Sequence, residues 1–256
     1  MIEVVFLVFI GVIFILLLLL YLIFFPRAVF YMLGGVKIPN KKDRVLVFAP
    51  HPDDETLGCF GYMHRAVNFG SRVKVIIITD GHILAHPKRR YGETEEALSK
   101  IGIKKEDIAF LGYGDRNLRK AEDVIKRFKG VINSFKPTII LATSKYDTNT
   151  DHLATYKALK YTLRKIKGKK PEVLYYLIHY LDYPVPKGFH PGAYLTPPAN
   201  LIKPKEKWLK LTFSKNEQKA KREAIMKYKS QLKFKIFFAR ETLLSFIRRN
   251  ELFMKE

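Results

Sequence analysis

The chain reads as an α/β protein: a mostly parallel sheet with helices on both faces, preceded by one N-terminal transmembrane helix. Three observations predict this. Short apolar, β-branched runs alternate with stretches of helical periodicity, the pattern of a parallel sheet wound with helices. An uncharged apolar run of 22 residues, Val4 to Phe25, precedes them all. The first strand-like run, Val45–Ala49, ends abruptly in His51, Asp53, Asp54 and Glu55. A strand buried on both faces is apolar throughout, so such an ending belongs in a cleft, where open α/β sheets bind their ligands.

As a helix the opening run spans about 33 Å, enough to cross a bilayer core of about 30 Å. A signal peptide would have a basic start and a small-residue cleavage site. Here the only charge before the run is Glu3, and Tyr21-Leu-Ile-Phe-Phe closes it. Arg27, Lys37, Lys41, Lys42 and Arg44 follow, so the positive-inside bias places the body in the cytosol. Cys59, the single cysteine, excludes an intrachain disulfide and agrees with a reducing compartment. Residues 1–25 are thus read as the anchor and 26–43 as an interfacial collar and linker broken at Gly34-Gly35. Residues 44–256 are read as one domain that carries the chemistry.

Within that domain Val45–Ala49 is the first strand, and a helix containing Met63–Asn68 follows. Val73–Thr79 is the second strand, and the helical spacing of Ala97, Leu98 and Ile101 predicts a helix over 92–101. Ile108–Gly112 is strand three, 121–135 a helix, Thr138–Thr143 strand four, 152–167 a helix and Val173–His179 strand five. The Pro-rich segment 181–210 reads as irregular. Two basic helices, 216–230 and 231–250, close the chain. The second interleaves Phe234, Ile236, Phe237, Phe238, Leu243 and Phe246 with Lys and Arg, and packs on the sheet or lies along the membrane. The whole is a Rossmann-like arrangement.

The net charge of +22 admits nucleic acid as a partner, but no RNA- or DNA-binding motif appears. With an anchor present, anionic lipid explains the charge. Residues 203–256 concentrate it, with 16 Lys or Arg against 6 Glu, although a solvated face would look the same.

His51 and Asp54, three apart at a strand-to-helix turn, can converge on one metal ion, with Asp53 between them facing its water. The polar loop after strand four leads to His152, the candidate third ligand. Two histidines and one carboxylate suit zinc, with Fe(II) the rival. The alternative is that Asp53 or Asp54 merely caps the next helix.

Ala49-Pro-His-Pro-Asp-Asp-Glu55 resembles the signature of the LmbE-like, or PIG-L-type, de-N-acetylases. Further motifs follow in order. They are Arg90, Glu93, Ala97 and Ile101-Gly102, then Phe110–Asp115, Asp151-His152, Tyr228–Gln231 and Glu251–Phe253. The resemblance implies a zinc hydrolase of an N-acetylated amino sugar, with lipid linkage motivated by the anchor and basic tail. It implies His51, Asp54 and His152 as ligands, Asp53 as general base, and Arg90 and Asp115 as contacts to the sugar. Many members carry His-Pro-Asp-His at the second motif, where this chain reads Asn149-Thr-Asp-His152. Asn149 can donate to an oxyanion but cannot deliver a proton near neutral pH. The leaving amine is then protonated by Asp53 or by a nearby His179 or His190. His82, ending strand two, is a further pocket candidate, while His64 and His86 read as surface or structural. The competing class is a non-catalytic, membrane-bound glycolipid- or sugar-binding protein that keeps the fold.

Overall fold

A computed structural model describes residues 2–83, 85–233 and 239–256. Its centre is one mixed sheet of eight strands. In chain order the elements are α1 (Ile2–Met32), β1 (Gly34–Gly35), β2 (Arg44–Ala49), α2 (Asp54–Asn68), β3 (Arg72–Thr79), α3 (Pro87–Ser99) and β4 (Ile108–Tyr113). They continue with α4 (Val124–Phe135), β5 (Ile139–Thr143), α5 (Thr150–Lys165), β6 (Glu172–Tyr176), β7 (Lys207–Thr212), α6 (Lys215–Ile225), α7 (Lys229–Leu232), α8 (Ala239–Ser245) and β8 (Asn250–Lys255).

The strand order is β1-β7-β8-β6-β5-β2-β3-β4. β2, β3 and β4 run parallel in one direction across the sheet, and β5 and β6 lie parallel on the other side of β2. The connection therefore reverses between β2 and β5, and a crevice opens at their carboxyl ends. Every side chain of β2 from Val45 to Ala49 is buried, as are all five of β5, because helices cover both faces. On one side α2 packs on α6, which also meets α3; α4 packs on α5 elsewhere in the layer.

Three strands depart from the expectation. Gly34-Gly35, read as a break in a collar, forms β1 and pairs with Leu209 and Lys210 of β7. Segment 181–210, read as irregular, gives up its end to β7. The final basic helix, read over 231–250, is instead the short α7 and α8, and the chain closes as β8, antiparallel to both β6 and β7. Of the apolar residues assigned to that helix, Leu243, Phe246 and Ile247 are buried in the core. Phe234, Ile236, Phe237 and Phe238 lie outside the described residues.

α1 continues to Met32, beyond the expected end of the anchor at residue 25. Its window Val4–Tyr21 has a mean hydropathy of 3.3, and none of it is buried against the domain. Phe30 stacks on Tyr194 of the domain with ring centroids 3.8 Å apart, and its carbonyl accepts from Lys210 Nζ.

Candidate active site

The crevice between β2 and β5 gathers the sequence candidates. β2 ends at Ala49, and the chain turns through His51-Pro-Asp-Asp54 into α2. The His51 amide donates to Asp54 Oδ2 at 2.8 Å, which folds that carboxylate back toward the imidazole. Asp53 takes the position before the helix but makes no capping hydrogen bond with its side chain. Capping is therefore not what either aspartate does. Asp53 instead adopts φ 137°, a backbone conformation few side chains tolerate. Its amide donates to Glu55 Oε2, and Glu55 is fixed in turn by the Tyr228 hydroxyl.

From the other strand, the loop after β5 enters α5 with Asn149 as its cap. Asn149 Oδ1 accepts from the amides of Asp151 and His152. His152 then lies on the first turn, wholly buried, with Nε2 facing the β2 turn.

Three atoms that could hold a metal ion meet. His51 Nδ1 is 3.1 Å from His152 Nε2 and 3.1 Å from Asp54 Oδ2, and His152 Nε2 is 3.0 Å from the same oxygen. A tetrahedral ion with bonds of about 2.0–2.2 Å holds its ligands about 3.3–3.5 Å apart, so the triangle opens by about 0.3 Å to take one. The other ring nitrogens are committed elsewhere. His152 Nδ1 donates to Asp147 Oδ2 at 2.9 Å, and His51 Nε2 lies 3.3 Å from both Asp151 Oδ2 and Asp115 Oδ1. Carboxylates behind ligating histidines fix the tautomer that presents the free lone pair to a metal.

Electrostatics agree with a cation at that point. Burial alone would lower both imidazoles, but the facing carboxylates outweigh it: His152 is held at about 9 and His51 well above its ordinary value. Burial likewise opposes ionisation of Asp54, and the two histidines overcome it. Buried charge is tolerated only when paired, and here the pairing favours positive charge where the ligand atoms converge.

Asp53 stands beside this triangle. Burial pushes its carboxyl up to about 7 against the pull of the Arg90 guanidinium. Arg90 Nη2 donates to Asp53 Oδ2 at 2.9 Å and also to the Pro52 carbonyl, while Nη1 reaches the Gly81 carbonyl at 3.1 Å. Arg90 is only 3% exposed, so the geometry makes it a clamp on the β2 turn. Gly81 makes room for it: a Cβ there would sit 2.8 Å from Arg90 Nη1.

The remaining candidates spread around the rim. Asp115 faces His51 Nε2, its amide bonded to Asp80 Oδ1, which also accepts from His82. His82 itself is exposed. His179 packs edge-on against His152 at 4.9 Å, and burial and the neighbouring His152 drive it down to about 4. His190 Nε2 donates to the Lys187 carbonyl at 3.0 Å, and among the described residues no hydrogen bond or ion pair joins its ring to the cluster. His86 caps α3, accepting from the Lys88 amide, and His64 is half-buried with Nδ1 unpartnered.

Residues 46–163 match the model of the family described as PIG-L: GlcNAc-PI de-N-acetylase. The match spans 118 of the 256 residues. A diacetylchitobiose deacetylase of Thermococcus kodakarensis is 31% identical over 127 residues, which cover 44% of this chain and 46% of that protein. The chain thus spans about half the length of that curated relative. The Escherichia coli protein YaiS, described as an uncharacterized deacetylase, is 26% identical over 144 residues, 54% of this chain and 75% of its own. Among solved structures, an N,N'-diacetylchitobiose deacetylase from Pyrococcus horikoshii superposes with a TM-score of 0.61 at 20% identity, over 82% of each chain. That likeness is one of fold.

The matched segment ends within α5 and contains both halves of the triangle. The later motifs serve it from outside. Ser230 donates to Glu93 through amide and hydroxyl, Tyr228 holds Glu55, and Glu251 accepts from the Gly61 and Tyr62 amides of α2. Sequence reasoning assigned no role to Asp147, Asp151 or Glu55. The available signal was the requirement that each ligating histidine have a partner for its second nitrogen.

Proposed function

We propose that the protein is a membrane-anchored, zinc-dependent hydrolase that removes the acetyl group from an N-acetylglucosamine-type sugar carried on a lipid. One observation carries this reading: His51, Asp54 and His152 form a buried three-ligand triangle with the Asp53 carboxylate clamped beside it. The match to the GlcNAc-PI de-N-acetylase family and the deacetylase activities of the relatives support acetyl removal from amino sugars; α1, with its basic C-terminal flank, supports anchoring with the domain on the cytosolic side. Fe(II) is the competing ion.

A bound zinc would polarise the acetyl carbonyl and make water easier to deprotonate. Asp53 takes one proton from that water as its oxygen bonds to the carbonyl carbon. The C–N bond then breaks, and the same carboxyl returns the proton to the leaving nitrogen, giving a free amine and acetic acid, which ionises to acetate in water. Arg90 holds Asp53 in place throughout. Capping occupies Asn149 Oδ1, so its Nδ2 is the atom it can offer to an oxyanion.

The test is incubation of the zinc-loaded, full-length protein with a panel of N-acetylglucosaminyl lipids and oligosaccharides, assayed for acetate. Release from lipid-linked members is expected. No release from any member, with one metal ion bound per chain, would overturn the reading in favour of a non-catalytic binder.

A further inference from the structure

The segment leaving β6 beside the site turns large apolar side chains outward although its backbone is firmly held. Leu181 is 76% exposed and Val185 67%. Yet the carbonyls of Pro186, Gly188 and His190 all accept from the buried Arg248 guanidinium, and the Gly188 amide donates to Ser245 Oγ. A loop braced in this way exposes those side chains as a fixed surface. Contiguous apolar surface on a folded domain marks a contact.

The position of this surface says with what. Val29 of α1 joins Leu181, Val185, Pro197, Pro198 and Ile202 in lining an apolar groove of 410 Å³. Val29 is four residues past Phe25, about 6 Å of helix, so the groove opens within about one turn of where the apolar run ends. Exposed Lys203 and Lys205 follow Ile202, exposed Arg27 lies two residues before Val29 on α1, and one acid, Asp182, stands in the lining. Apolar side chains rimmed by cations suit the head-group boundary of an anionic bilayer.

We infer that the loop 181–202 and its groove are a second membrane contact. Leu181, Val185 and Ile202 enter the head-group/acyl boundary of an anionic bilayer, and Lys203 and Lys205 meet its phosphates. This rests on the reading of α1 as an anchor. It has a consequence for the site, because Leu181 lies two residues after His179, whose ring packs on His152. Docking there holds the mouth of the crevice against the lipid surface, where a lipid-linked sugar would present itself.

Cys59 is the one native cysteine and is buried, so an introduced cysteine can be labelled alone. The full chain is reconstituted in phosphatidylcholine/phosphatidylserine vesicles. Val185→Cys and Ile202→Cys are labelled separately with an environment-sensitive dye. Lys126→Cys, exposed on α4, serves as reference, and Ile10→Cys reports α1. Spin-labelled lipids should quench the dye at 185 and 202 from a depth of about 5–10 Å, and well above the level at 126. Quenching at 10 but not at 185 or 202 would overturn the second contact and leave the anchor standing. No quenching at 10 would overturn the anchor, and this inference with it.

Discussion

Arg90 donates to Asp53 Oδ2 at 2.9 Å, and the same guanidinium grips the carbonyls at two neighbouring strand ends, Pro52 from the β2 turn and Gly81 from the end of β3. One side chain thus fixes the carboxylate, the turn that carries it and the neighbouring strand end. The φ of 137° at Asp53 costs on the order of 1–3 kcal/mol. Such strain persists only where surrounding bonds over-determine it, and Arg90 with Glu55 supplies those bonds.

Asp53→Asn should abolish acetate release while leaving metal content per chain nearly unchanged. The substitution keeps the shape of the side chain and touches none of His51, Asp54 or His152, but an amide cannot accept the proton. Loss of a general base costs about 10²–10⁴ in rate. Steady-state kinetics beside elemental analysis measures both halves. Full activity would remove Asp53 from the base role.

Asp147→Asn should weaken metal binding without removing a ligand. Asp147 Oδ2 holds His152 Nδ1 at 2.9 Å and also accepts from the Ile178 and His179 amides at 3.1 Å. Loss of an outer-shell carboxylate typically costs 10- to 100-fold in affinity, so a decline of about that size is expected. Competition against a chromophoric zinc chelator reads it, and an unchanged dissociation constant would show that Asp147 only braces the β5–α5 loop.

The strands β2, β3 and β5 were legible because burial on both faces leaves them apolar, as in Val73–Thr79, and β4 at the sheet edge and β6 showed as short apolar runs. β7 and β8 were not. Lys207, Lys210, Asn250, Glu251 and Lys255 interrupt their apolar residues, and Lys210, Glu251 and Lys255 find their partners far away in sequence. Glu251, which looks like a surface residue, is buried against Lys221 at 2.7 Å. The same logic divides the site. His51 and Asp54 announce themselves because nothing structural asks for them at the end of an apolar strand. Asp147 and Asp151 sit in an ordinary polar loop, and only the folded position of two imidazole rings makes them partners.

Lys221→Met should destabilise the domain strongly. The Lys221–Glu251 pair is buried on both sides, and Lys221 Nζ also donates to the Leu57 carbonyl in α2. Removing one partner leaves a buried carboxylate with only the Gly61 and Tyr62 amides, a loss of about 3–5 kcal/mol. Thermal unfolding in detergent measures it, and a change below about 1 kcal/mol would show that Glu251 is satisfied by those amides alone.

The Arg65–Glu217 pair provides a pH-dependent contribution away from the metal ligands. Burial alone would raise the Glu217 carboxyl, but hydrogen bonds from Arg65 at 2.6 Å and from Ser214 outweigh it and hold it down to about 2. A depressed acid stabilises the fold while it is ionised. That contribution is complete above the ordinary glutamate range, near 4.5, and is lost as pH falls from there through about 2. The pair is partly exposed, so screening limits it to about 1 kcal/mol or less. Glu217→Gln keeps the capping box with Ser214 and removes only the charge. The melting-temperature difference between wild type and Glu217→Gln should therefore be largest at pH 6–7 and shrink toward zero in strong acid. A difference independent of pH would assign the loss to the cap instead of the ion pair.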